Sequence, residues 1–239
     1  TRSGDKADHP QVRLLTCLIK PGETYAEIGC GGGAVCQRVG QTNPVRGFDV
    51  SPVALDHARS LCAGLPVQLA CCSADSLPLA DGAVSGSYSF EVLEHVWDPV
   101  AVVREMIRIT KPGGFILVSL PNRFSLDLHL MKSACARVAD MALAGVRLFA
   151  DRASGRVYCH VEPALDGEVY PDCDMITAII PMNFAGVFEK AGCRVEFVDT
   201  TYMCAHREGS TTTLDFQRNT GRPFFRHFGD HVVILAWKG

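Results

Sequence analysis

The sequence has no long basic run, no CxxC pair, no internal repeat and no low-complexity segment. It also has no apolar stretch approaching the roughly 20 residues that a membrane-spanning helix needs. Each absence removes a class of function. With a formal net charge of -3, nothing supplies the electrostatic footprint of non-specific nucleic-acid binding, so no nucleic-acid partner is expected. No membrane span is expected either. No signal peptide is legible from Thr1 onward, and a cytoplasmic setting is the expectation. The 11 cysteines are odd in number and unpaired in spacing, which argues against a full disulfide framework or a zinc ribbon. Most sit among apolar neighbours, where a free thiol acts as a small hydrophobe, so reduced thiols are expected. The vicinal pair Cys71-Cys72 could bind a soft metal or metalloid, but burial is the expected reason for it.

What is present is ordinary globular composition: 239 residues, 47% hydrophobic and 21% charged, read as one domain. Leu14 to Ile19 ends a helix, broken by Pro21-Gly22. "TYAEIG" reads as a short buried strand, followed by a glycine turn and a helix starting at Ala34. "VRGFDV" is a second strand. Ser51-Pro52 caps the helix "VALDHARSLCAG". "PVQLACC" and "DGAVSGSYSF" follow as strands. Asp98-Pro99 caps a helix whose apolar residues lie mostly on one face. "KPGG" ends that helix, and "FILVSLP" is a fifth strand. From Phe124 to Arg152 one or two helices are expected, and Ala153 to Asp174 reads as a loop. "FAGVFEKAG" and "CRVEFVDTTYM" then give a helix and a strand, and "HVVILAW" a last strand antiparallel to its predecessor. Strands alternating with helices predict an α/β fold, a doubly wound and mostly parallel sheet.

The densest signal is "YAEIGCGGGA", with four glycines in the five residues from Gly29 to Gly33. Strand, glycine turn and helix together make a nucleotide- or anion-binding arrangement, because bare backbone lets a ligand approach closely. "GCGGGA" satisfies the dinucleotide pattern G-x-G-x-x-G/A, and Asp49 lies where a ribose-binding acid belongs. Glu27 points elsewhere. A carboxylate just ahead of the glycines would repel a pyrophosphate and attract an ammonium or sulfonium group, and S-adenosylmethionine carries both cations and no phosphate.

"EIGCGGG", "FDVSP", "ADSLPLADG", "EVLEHVWDP" and "ITKPGGFILVSLPN" follow one another in order. Together they resemble the class I S-adenosylmethionine-dependent methyltransferases, in the branch that includes the ubiquinone-biosynthesis O-methyltransferases. The likeness is strong over about Leu14 to Asn122 and weak over "FAGVFEKAGCRVE". It implies a Rossmann-like seven-stranded sheet with an antiparallel last strand and a helical insertion after the fifth strand. On this reading residues 1–122 are the cofactor-binding half, 123–175 an insertion capping the acceptor site, and 176–239 the C-terminal strands. The resemblance also implies roles. Glu27, Gly29, Cys30 and Gly31 would surround the methionine part of S-adenosylmethionine, and Asp49 would take the ribose hydroxyls. Val50 would lie against adenine, Asp75 and Ser76 would read its amino group, and Phe90 and Glu91 would flank the cofactor. The family often has an aromatic-Asp pair in the fourth strand, where this chain has Val84-Ser85.

Methyl transfer is an in-line displacement at a sulfonium, so the protein mostly positions the acceptor and excludes water. An acceptor hydroxyl would need a base or a metal. Glu91, Glu94 and His95 have helical spacing and on one face could hold a divalent ion, a weak site expected not to be required. The E-x-x-E-H residues resemble the metal-binding positions of the ubiquinone O-methyltransferases. His95 could instead act as a direct base, and His160, in the insertion, is a second candidate. His129, His206, His227 and His231 also fall in variable parts. The insertion from Phe124 to Asp174 is apolar, which hints at a small-molecule acceptor of hydrophobic or bulky character, or at a homodimer face. Two other readings stand beside methyl transfer: an NAD-dependent oxidoreductase, and a catalytically silent S-adenosylmethionine-binding module.

Overall fold

The structure is a computed structural model, and it describes residues 9–122, 146, 149–163, 174–201 and 231–239. Strand β1 (Tyr25–Ile28) is buried at all four positions, as a central strand of a sheet covered on both faces must be. Its parallel neighbours are β2 (Val45–Asp49) and β4 (Val84–Phe90). β3 (Val67–Cys71) lies outside β2, and β5 (Thr110–Pro121) outside β4, both again parallel. β8 (Cys193–Thr201) and β9 (His231–Lys238) complete the order β3-β2-β1-β4-β5-β9-β8. β9 is antiparallel to both its neighbours, so it alone in this sheet runs against the rest. The expected Rossmann-like sheet, with its last strand antiparallel, is present.

Strand alternation divides the core in two. On β5, Phe115 and Leu117 face one layer, with Tyr25, Tyr88, Val233 and Leu235. This layer is covered by α1 (Pro10–Leu18), α2 (Ala34–Gly40) and α3 (Pro52–Leu61). Ile116, Val118 and Leu120 face the other, with Ala26, Ile28 and Ile234. There α4 (Pro99–Ile109) buries Val102, Val103, Met106, Ile107 and Ile109, and α5 (Pro181–Lys190) buries Phe184 and Phe188. Both expected caps form. Ser51 accepts the Ala54 N–H at the start of α3, and Asp98 accepts those of Val100 and Ala101 at the start of α4.

Three expectations need correction. Residues 153–174 read as loop, yet β6 (Tyr158–His160) pairs antiparallel with β7 (Thr177–Ile179). The hairpin is tied to a 3-10 turn, Leu93–His95: the Ile176 N–H donates to the Glu94 carbonyl at 3.0 Å, and the Thr177 hydroxyl to the Val96 carbonyl at 2.7 Å. "KPGG" does follow the end of α4, but as part of β5, with the β4–β5 register shifted between Val84 and Gly86. Cys71, expected to be buried, is exposed at the end of the outermost strand, and its thiol lies 3.5 Å from the Val50 carbonyl. The eight described cysteines that are free are Cys17, Cys30, Cys36, Cys62, Cys71, Cys72, Cys159 and Cys193.

The segment between β3 and β4 packs Leu77 and Leu79 on the core, and α4 also holds it by polar contacts. The Leu77 N–H donates to Glu105 Oε1 at 2.7 Å. Arg108 donates to the carbonyls of Leu79 at 2.7 Å and Leu77 at 3.2 Å, and pairs with Asp81 and Glu105, both at 2.7 Å. Arg108→Ala leaves two carbonyls and two carboxylates without this partner, so it is expected to lower stability by about 1–3 kcal/mol in urea unfolding. Its guanidinium holds the Glu105 carboxyl below the ordinary value of 4.5, assisted by the Leu77 N–H. A lowered folded value means this contribution is present above 4.5 and is lost as pH falls through the folded value. The difference between wild type and Arg108→Ala should therefore shrink in acid.

Candidate active site

In an open α/β sheet, ligands bind at the carboxyl ends of the parallel strands. Here the ends of β1, β2, β3 and β4 bring together the glycine turn, Asp49, the 71–76 segment and Glu91. The turn is built on left-handed backbone that glycine adopts freely: Gly29 has φ 72° and Gly31 has φ 50°. A Cβ on Gly29 would lie 2.2 Å from a Val92 methyl, so the turn packs directly on the segment that leaves β4. A Cβ on Gly31 would meet nothing within 4 Å. That backbone faces open space, as a cradle for a ligand should.

Asp49 ends β2 and is fixed by two backbone donors, Gly31 N–H at 2.7 Å and Ser51 N–H at 2.9 Å, one to each carboxylate oxygen. Each oxygen keeps a further lone pair for a diol. The Cys72 N–H donates to the Asp49 carbonyl at 3.1 Å, which sets the 71–76 segment beside it. Val50 is 67% exposed, and Asp75 and Ser76 are exposed on the same rim. An exposed valine with two polar residues at its edge offers an apolar platform for a flat heterocycle. The residues therefore fit the group that the sequence implied: a diol at Asp49, a ring at Val50, and close backbone at Gly29 to Gly31.

Glu27 is placed differently from its neighbours. It is 5% exposed, and its carboxylate accepts from the Tyr88 hydroxyl at 3.4 Å on the α2 side of the sheet. Cys36 is also within its hydrogen-bonding reach, and Cys30 bonds Cys36. The Cys30 contact, burial and Glu27 push the Cys36 thiol well up, and burial with Glu27 does the same to Tyr88. Both stay protonated at neutral pH and donate to this buried network.

Glu91, Glu94 and His95 do not share a helical face, contrary to expectation. Glu91 has φ 55° and is the only non-glycine residue with positive φ among those described, so the backbone turns away before the 3-10 turn begins. Glu91 accepts the Ser119 hydroxyl at 2.5 Å and faces His231 Nε2 at 3.2 Å. Glu94 is 2% exposed and lies 3.6 Å from His95 Nε2, while His95 Nδ1 lies 3.5 Å from Asp174. Among the described residues no group of three or more His, Cys, Asp or Glu could hold a metal ion. His160 stacks on Trp97 with ring centroids 3.8 Å apart and lies 3.4 Å from the Thr177 hydroxyl. His95 and His160 thus belong to the junction of the 3-10 turn and the hairpin. His129, His206 and His227 lie outside the described residues, as does most of the insertion.

Beside that junction is a cavity of about 160 Å³, walled by Glu94, Leu120, Asn122, Met175 and Ile179 among others. Sequence reading did not reach Asn122, Ser119 or the pairing of His231 with Glu91. Only the position of Ser119 and Asn122 near the end of "FILVSLPN" could have pointed to them.

Residues 26–118 match a family described as "Methyltransferase domain". A ubiquinone biosynthesis O-methyltransferase of Cupriavidus pinatubonensis is 36% identical over 114 residues, which is 46% of this chain and 45% of that protein. The chain thus spans about half the length of such curated relatives. An S-adenosylmethionine dependent methyltransferase from Mesorhizobium loti shares the fold with TM-score 0.61 at 15% identity, over 97% of this chain and 99% of that one. The [4+2]-cyclase SpnF does so with TM-score 0.57 at 17% identity, over 95% and 80%. Among the described residues no helix is long and apolar enough to cross a membrane. Residues 26–118 thus resemble the methyltransferase domain of S-adenosylmethionine-dependent methyltransferases.

Proposed function

We propose that this chain transfers a methyl group from S-adenosylmethionine to a small-molecule acceptor of apolar or bulky character, at an oxygen if the acceptor is a hydroxyl. The observation that carries the reading is the joined site: the glycine turn, the doubly held Asp49 and the exposed Val50 converge on one end of the sheet. When bound, S-adenosylmethionine supplies an activated methyl group. The chain's own residues would bind and orient. Gly29, Cys30 and Gly31 bring bare backbone to the methionine part, with Glu27 fixing the turn from beneath. Asp49 accepts from the ribose hydroxyls, Val50 lies against adenine, Asp75 and Ser76 read its amino group, and Phe90 and Glu91 flank the cofactor.

The segment after β5, residues 123–175, is assigned to the acceptor. The cavity near its end supports this. At about 160 Å³ it is the size of an apolar cavity of about 150 Å³ that holds benzene, so a ring-sized group fits it. His95 and His160 border the same junction and are the candidates to take a proton from the acceptor. The setting is taken as cytoplasmic.

Glu91 is committed to Ser119 and His231 and not to Glu94, so the reading requires no metal. Transfer is expected to continue after exhaustive chelation. Activity that vanishes with chelator and returns with magnesium would contradict this. The function itself is tested by supplying methyl-labelled cofactor with pools of small-molecule acceptors. Label entering a product, and lost in Asp49→Ala, is the expected result.

A second reading keeps the cofactor site without methyl transfer, as a silent binding module. The shared fold of a [4+2]-cyclase favours keeping it in view. S-adenosylhomocysteine binding without label transfer to any acceptor would favour it.

A further inference from the structure

The chain holds a strained residue, Glu91, at the end of β4 beside the one that packs on the glycine turn, and its supports come from two other strands. Glu91 directly follows β4, with φ 55°. Holding a non-glycine residue there costs free energy and persists only where surrounding contacts overdetermine it. Those contacts are present. Its N–H donates to the Ser119 carbonyl at 3.1 Å. One carboxylate oxygen accepts the Ser119 hydroxyl at 2.5 Å, and the other lies 3.2 Å from His231 Nε2. The next residue, Val92, is the one whose methyl would lie 2.2 Å from a Cβ on Gly29. Strain, clamp and close approach thus meet where the glycine turn touches the end of β4.

The sequence alone gave the task of attracting a cation to Glu27. That carboxylate is 5% exposed and turned toward Tyr88 on the α2 side. Glu91 keeps 18% of its side chain exposed and lies at the mouth of the sheet. The Ser119 hydroxyl donates without charge and leaves the carboxylate's own charge in place. With a neutral imidazole beside it, the carboxylate would keep a negative charge at a partly buried place, where a ligand cation feels it more than in water.

We infer that Glu91, held by Ser119 and His231, is the group that recognises positive charge at the methyl-bearing sulfur of the cofactor. This deepens the methyltransferase reading and rests on it. The clamp would then favour the charged substrate form over its neutral product. Ser119 and His231 are positioning residues in this scheme: they touch Glu91 and act through it.

The test compares two probes on the full chain by calorimetry. S-adenosylhomocysteine is neutral at sulfur, while sinefungin carries an amine cation near the place of the sulfonium. Glu91→Gln keeps size and loses charge. It is expected to weaken sinefungin about tenfold, the scale of one charge-assisted contact, while S-adenosylhomocysteine changes less than about twofold. Ser119→Ala and His231→Gln should each lower the preference for sinefungin in part, and Ser119→Thr, which keeps the hydroxyl, should restore it. Equal weakening of both probes, or no weakening of either, would overturn the inference. If Glu91→Gln does not fold, as seen by loss of a cooperative melt, the Ser119 pair decides the matter, because alanine and threonine there would be required to differ in probe preference. Failure of both probes to bind the wild-type chain would instead overturn the cofactor reading beneath it.

Discussion

Asp49→Ala is expected to weaken S-adenosylhomocysteine binding by about ten- to a hundredfold, the effect of losing a charged acceptor worth roughly 1.5–3 kcal/mol. The carboxylate does two things at once. It offers lone pairs to a diol, and it ties the Gly31 and Ser51 N–H groups, at 2.7 and 2.9 Å, into one turn. Alanine removes both. Asp49→Asn separates them in part: the amide oxygen can still accept one backbone N–H, but the charge is gone. The order of affinity should be wild type, then asparagine, then alanine. Calorimetry showing unchanged affinity in the alanine variant would remove Asp49 from the cofactor site.

The second large effect is on folding. Gly29→Ala is expected to destabilise the chain by about 2–4 kcal/mol, from left-handed backbone and a steric clash together. The residue sits at φ 72°, and a Cβ there would lie 2.2 Å and 2.9 Å from the two methyls of Val92. The two causes are separable. In Gly29→Ala with Val92→Ala the two methyl clashes are removed and a tight 3.1 Å approach to the residue 92 Cβ is left, so little more than the backbone cost of about 1–2 kcal/mol should remain at residue 29. A double variant no better than the sum of its single changes would show that Val92 is not what confines the turn. Urea unfolding of the four proteins makes the comparison.

The features read correctly from sequence share a physical property: they are local. A glycine turn behind a short strand, a serine or aspartate ahead of a proline, and apolar residues at helical spacing are each decided within a few residues. Ser51 and Asp98 are caps for that reason. The class of the sheet, mostly parallel with an antiparallel last strand, was legible through the resemblance, while its strand order was not. What escaped was non-local or conformationally exceptional. Glu91 meets His231 because β4 lies beside β5 and β5 beside β9, which no spacing in the chain records. The E-x-x-E-H pattern was read as one helical face, but it fails because Glu91 adopts φ 55°. β6 and β7 were missed because each is three residues long, too short for alternation to be seen. Cys71 was read as buried from its apolar neighbours, whereas strand order sets it on the sheet's outer edge.

The central claim is that this end of the sheet binds S-adenosylmethionine and its product, not a dinucleotide. Ligand-dependent thermal unfolding of the wild-type chain tests it most directly. S-adenosylhomocysteine at about 100 times its dissociation constant should stabilise the fold by about 2.7 kcal/mol, seen as a concentration-dependent rise in Tm, and NADH at the same concentration should leave Tm unchanged. A rise with NADH and none with S-adenosylhomocysteine would contradict the account.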